Sequence, residues 1–320
     1  MRTFSCPGCA APVFFGNVAC ESCDLELLHD PDLDQIVELG DRVPCAARGS
    51  VDDCNWPAVE PSPAEGAASG PAWCRSCGLD TDHDPDDELR VPFQRAKRRT
   101  IRQLLAHRVD PAVVAPPLRF ELLAGTAEDP VTIGHADGLI TLDLAEADPS
   151  ERESVRTSLG EPYRTPLGHV RHELGHWYWQ ATVGFGLGFD EVRDRFGDER
   201  VDYGEALDAH YAGVDDGSWQ DDHVSFYAAS HPWEDFAESF AHYLHVLDTT
   251  ETAAAHGLGA FDTVSAATPD VDQLLAHWAE VTVVLNELDR SMGTRDAYPF
   301  VLSPTVVDKI AFTGRSLRNT

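Results

Sequence analysis

The chain of 320 residues carries 24 Lys and Arg against 55 Asp and Glu, a formal charge of −31. That length can bury a sizeable core and suits one large domain with a smaller one, while the charge disfavours polyanionic partners, nucleic acid and anionic membrane surfaces alike. No apolar run reaches the roughly 18 residues of a membrane span and no secretory leader pattern is visible, which predicts a cytoplasmic protein.

All eight cysteines fall before residue 78. "CPGC" and "CESC" place Cys6, Cys9, Cys20 and Cys23 as two C-x-x-C knuckles, and two such turns close a tetrahedral zinc site with no open position. The second set, Cys45, Cys54, Cys74 and Cys77, has one good knuckle in "CRSC" and two scattered members. A second structural zinc ion is expected there, with unpaired buried thiols as the alternative. The Pro/Ala/Gly-rich "VEPSPAEGAASGPA" between them reads as a loop that a metal clip tolerates. Residues 1–79 are thus expected to be a Cys-rich ribbon region that serves architecture or docks a protein partner. The acidic run after it, within residues 80–90, reads as a linker to a domain over 91–320.

"PFQRAKRRTIRQLLAHRV" predicts a helix, with Ile101, Leu104, Leu105 and Val109 on its apolar side. Its cations, Arg95, Lys97, Arg98, Arg99, Arg102 and Arg108, fit an acid-paired or solvated face in so acidic a chain better than a nucleic-acid contact. "LRFELLAGT" and "VTIGHADGLITLDLAEAD" predict strands, the last bordering a cleft as an edge that could pair with an extended substrate. Strands followed by helices give an α+β class.

"RTPLGHVRHELGHWYWQA" predicts a helix that starts at Thr165 as N-cap with Pro166 in its first turn. Leu167, Val170, Leu174, Trp177 and Ala181 form its apolar stripe. His172 and His176, four apart, point together to the other side, as two imidazole ligands of a zinc ion must. Glu173 between them is placed as general base, and His169 shares their side as a structural or supporting histidine.

The third ligand is sought on "FYAASHPWEDFAESFAHYLHVLD", where Phe236, Phe240, Leu244 and Leu247 form the buried stripe. Glu234 is assigned as the third zinc ligand. Glu238, one turn on, is the carboxylate that holds the other ring nitrogen of a zinc histidine. His242 and His245 remain rival ligands. Tyr227 is the first candidate to stabilise an oxyanion and His231 the second. "VDQLLAHWAEVTVVLNELDRSM" reads as an amphipathic helix, and "YPFVLSPTVVDKIAF" as a turn and a short helix.

These stretches, with "CNW", "EPYRTPLGHVRHELGHWYW", "FGDERVDYGEALDAHYAG" and "SHPWEDFAESFAHYLHVLDT", make the chain similar to a bacterial family of zinc-binding metallopeptidases. Its members join an N-terminal zinc ribbon to a zincin-type, gluzincin-like domain. The resemblance implies that the second cysteine set acts together. From Tyr227 to Phe240 the chain also resembles the active-site helix of lethal-factor-like toxin proteases, which implies the same roles for Tyr227, Glu234 and Glu238. The reading is a zinc metallopeptidase acting on a peptide or protein substrate, against the alternative of a non-catalytic zinc scaffold or protein-docking module. Glu173 argues for the enzyme, since a closed structural site has no use for a base.

Overall fold

The knuckles shape the start of the chain. β1 (Phe4–Ser5) pairs antiparallel with β2 (Pro12–Val13), so "CPGC" sits in the turn between them. After each knuckle the backbone turns left-handed, at Ala10 (φ 62°) and Asp24 (φ 58°). There the Ala10 and Asp24 N–H groups donate back to the Cys6 and Cys20 carbonyls at 2.9 and 2.8 Å. β3 (Leu27–Asp30) and β4 (Gln35–Glu38) form a second hairpin. Phe4, Val13, Leu27 and Ile36 close a small core around Cys6 and Cys20. The second cysteine set belongs instead to the main core, with Trp56, Phe93, Ile101 and Leu104. This computed structural model describes residues 3–59, 70–126, 131–183, 188–213, 215–258 and 270–317; most of the loop read at "VEPSPAEGAASGPA" lies outside them.

α1 (Val91–Ala106) is the helix expected from the basic segment. It ends earlier than the apolar spacing suggested, because Arg108 turns left-handed (φ 64°). The Val109 N–H then donates to the Leu104 carbonyl at 2.9 Å, a Schellman-type close that still delivers Val109 to the core. Most of the helix's cations are paired with acids. Lys97 is ion-paired with Asp80 and Arg98 with Asp52. Arg102, 1% exposed, lies between Asp34 (2.6 Å) and Glu251 (2.9 Å). α1 therefore clamps the Cys-rich region to the helices that follow.

β5 (Arg119–Leu123), β6 (Gly134–Ala136) and β7 (Leu139–Asp143) form a sheet ordered β5–β7–β6. β5 runs parallel and β6 antiparallel to β7. The expected edge within "GLITLDL" is thus corrected: β7 is central, and the edge strands are β5 and β6. The cause is the turn Asp137–Gly138, where both residues have positive φ (49° and 85°), so β6 folds straight back onto β7. A Cβ at Gly138 would lie 2.6 Å from the Pro117 carbonyl oxygen, so only glycine fits.

α2 (Pro149–Leu159) separates the sheet from the histidine helix α3 (Pro166–Val183). α4 (Phe189–Phe196) and α5 (Tyr203–Ala212) follow; α2 and α5 each start at an aspartate cap, Asp148 and Asp202. α6 (Pro232–Ala255) packs against α3, α7 (Val271–Ser291) and α8 (Pro304–Ser316). The anticipated stripes are buried at Val170, Leu174, Trp177 and Ala181 on α3, with Leu167 half-buried against the same core, and at Phe236, Phe240, Leu244 and Leu247 on α6. The chain is mixed α+β, with a small Cys-rich N-terminal region and a helical C-terminal part. Among the described residues no helix is long and apolar enough to cross a membrane.

Candidate metal centre and active site

Two capped helix starts set the geometry. Thr165 Oγ1 accepts from the Gly168 N–H at 3.0 Å and fixes the first turn of α3. His231 Nδ1 accepts from the Trp233 N–H at 3.0 Å, with Pro232 opening α6. Glu234 consequently falls in the first turn of α6, where the helix dipole favours a carboxylate. The crossing of α3 and α6 then brings His172, His176 and Glu234 together, all buried, with one donor atom of each within 4.8 Å of the others.

The Glu234 Oε2 lies 3.0 Å from His172 Nε2 and 3.3 Å from His176 Nε2. The two ring nitrogens are 3.1 Å apart. Ligand atoms at 2.0–2.1 Å from one tetrahedral zinc ion stand about 3.3 Å from each other, so the donor set fits that ion. Charge agrees. Burial alone would raise the Glu234 pKa, yet the His176 and His172 rings hold it well below the carboxylate range. Burial likewise opposes a charged His172, but Glu234 and Glu238 raise its pKa well above the usual value. Two carboxylates beside these imidazoles favour positive charge at this place.

Glu238 Oε1 accepts from His172 Nδ1 at 2.8 Å, and its Oε2 accepts from Ser225 Oγ at 2.9 Å. Glu173 is 5% exposed. Its Oε1 is 3.4 Å from His169 Nε2, while its Oε2 has no hydrogen-bond partner among the described residues. His169 Nδ1 meets Glu146 at 2.9 Å, and Glu146 is in turn ion-paired with Arg164. Burial lowers the His169 pKa, but Glu146 and Glu173 outweigh it and raise it to about 9.

The half-buried Tyr227 ring is 5.8 Å from that of His172. Burial, then Glu234, push its pKa up, so it stays a donor. His231, the second candidate for that role, is used otherwise: besides capping α6, its Nε2 contacts the Val201 carbonyl at 3.1 Å and the ring is 4% exposed. The rivals His242 and His245 stand apart from the donor group, bonded to Tyr298 Oη (2.5 Å) and Arg171 Nη1 (2.6 Å). Tyr203 was not anticipated. Its hydroxyl donates to Glu234 Oε1 at 2.8 Å.

Both cysteine quartets converge as well. The Cys6–Cys23 and Cys9–Cys20 sulfurs are 3.7 and 3.6 Å apart. Those of Cys54–Cys74 and Cys77–Cys54 are 3.8 and 3.9 Å apart. Zn–S bonds of 2.3 Å in a tetrahedron give about 3.8 Å, far beyond a disulfide bond, so both quartets fit zinc ribbons.

An uncharacterized protein of Mycobacterium bovis and one of Mycobacterium tuberculosis are each 38% identical over 330 residues, covering 98% of this chain and 94% of the relative. No solved structure matches the chain. A family model matches residues 91–316, the segment that carries His172, His176 and Glu234, and the chain belongs to that family, described as "Putative zinc-binding metallo-peptidase".

Proposed function

We propose that the chain is a gluzincin-like zinc peptidase in which His172, His176 and Glu234 hold the catalytic ion, with Glu173 as general base. The observation that carries this reading is the convergence of three buried donor atoms, from two helices, within 4.8 Å. Zinc bound there would supply Lewis acidity, lowering the pKa of water to about 7 and polarising a carbonyl. The free Oε2 of Glu173 is the oxygen available to take the proton of the attacking water and pass it to the leaving amine. Tyr227 donates a hydrogen bond to the developing oxyanion. Glu238 fixes the His172 tautomer, so that Nε2 is the ligating atom.

The substrate is a peptide or protein. The edge of β6 lies beside the site: the His135 ring is 6.5 Å from Trp233, whose ring is 4.3 Å from His176. That edge can pair with an extended backbone. The two cysteine quartets would hold structural zinc, three ions per chain in all. Residues 1–79 form the ribbon unit, 80–90 its connection and 91–320 the peptidase unit. Thiols kept for zinc rather than disulfides suit the cytoplasm. The test is cleavage of a diverse peptide library by the wild type and by Glu173→Gln at equal zinc content. A loss of about 10²–10⁴-fold supports the mechanism, and equal activity refutes it.

A further inference from the structure

We propose that Tyr203 is a positioning residue of the metal centre: its hydroxyl ties one oxygen of Glu234 so that the other is presented to the ion. The inference rests on the zinc-site reading above and adds a residue from a separate helix to it. The two oxygens of Glu234 have divided partners. Oε2 faces His172 and His176 Nε2, whereas Oε1 accepts from Tyr203 Oη at 2.8 Å. Glu234 is 1% exposed, so water cannot replace that hydrogen bond cheaply.

A carboxylate can bind a cation through one oxygen or through both. Untied, Glu234 could turn about its last torsion and lose the alignment of Oε2 with the two ring nitrogens, which weakens its hold on an ion. Tyr203 blocks that turn. Its delivery is local: Asp202 caps α5 by accepting from the Glu205 N–H at 2.9 Å, which places Tyr203 in the first helical position. The ring is steadied by His231 (5.3 Å) and Trp233 (5.9 Å). α5 itself buries none of its ten residues. Its described role is thus to carry Tyr203 to Glu234 rather than to fill core.

The test is a double-mutant cycle on zinc affinity in the full chain. Tyr203→Phe, Glu234→Gln and the double variant are titrated with a competing chelator, and the zinc equivalent that His172→Ala loses identifies the site. Tyr203→Phe keeps the ring contacts, so a packing role would leave the affinity unchanged. The proposal expects Tyr203→Phe to weaken that equivalent about 10–100-fold in the native background and hardly at all once Glu234 is Gln. Unchanged affinity in Tyr203→Phe, or equal losses in both backgrounds, overturns it while leaving the zinc site standing. Unchanged affinity in Glu234→Gln overturns both.

Discussion

Gly175 on α3 lies against the backbone of Ala237 on α6: a Cβ at position 175 would stand 2.7 Å from the Ala237 Cα and 3.0 Å from its carbonyl oxygen. The missing side chain lets the two helices that carry the converging donor atoms cross closely. Gly175→Ala must push them apart. We expect a loss of about 1–3 kcal/mol in urea unfolding, typical of overpacking. Zinc retention should fall as well, because His172 and His176 move with α3 and Glu234 with α6.

Removing Glu238 tests the support behind His172. Glu238→Ala leaves His172 Nδ1 without its 2.8 Å partner. Zinc affinity or peptide turnover should drop about 10–100-fold while the far-ultraviolet circular dichroism stays native.

Arg102 joins Asp34 of the ribbon region to Glu251 of α6. Arg102→Met takes the shared cation from two acids, one of them 5% exposed, while Asp34 keeps His29 at 3.1 Å. Breaking a buried pair from one side costs about 3–5 kcal/mol. Chemical denaturation should show that loss, and limited proteolysis should release the N-terminal region more readily than in the wild type.

The Glu146–His169–Glu173 chain gives stability a pH dependence. His169 titrates near 6.5 when unfolded and at about 9 when folded, so folding favours its protonated form. Its stabilising contribution is complete below about pH 6.5 and is lost as pH rises to about 9. Unfolding midpoints measured from pH 6 to 10 should fall across that window, with a shallower fall in His169→Gln.

Much of this site was legible because its signals are local. His172 and His176 share a helix face by their spacing, and the C-x-x-C knuckles carry their own turn geometry. Thr165 with Pro166, and Pro232, mark helix starts in two or three letters. Glu234 was legible because Phe236, Phe240 and Leu244 fix which side of α6 is buried. What escaped was tertiary. Tyr203 sits on α5, a helix with no buried stripe to orient it, and its partner is 31 residues away. The partners of Arg102 lie 68 and 149 residues off, so the sequence shows its charge without the acids that neutralise it. β7 became central because Asp137–Gly138 reverses the chain at once and lays β6 beside it, opposite β5. His231 reads as the second oxyanion candidate in "SHPW", whereas its ring caps the helix that the following proline opens.

The ion pairs of α1 also alter how the molecule meets its surroundings. Lys97, Arg98 and Arg102 are only 2, 5 and 1% exposed, so these three do little to offset an exterior drawn from a chain with 24 Lys and Arg against 55 Asp and Glu. Two copies approaching in dilute buffer will repel one another. A positively charged peptide, by contrast, will be drawn in from beyond contact distance, at a capture rate that declines as ionic strength is raised.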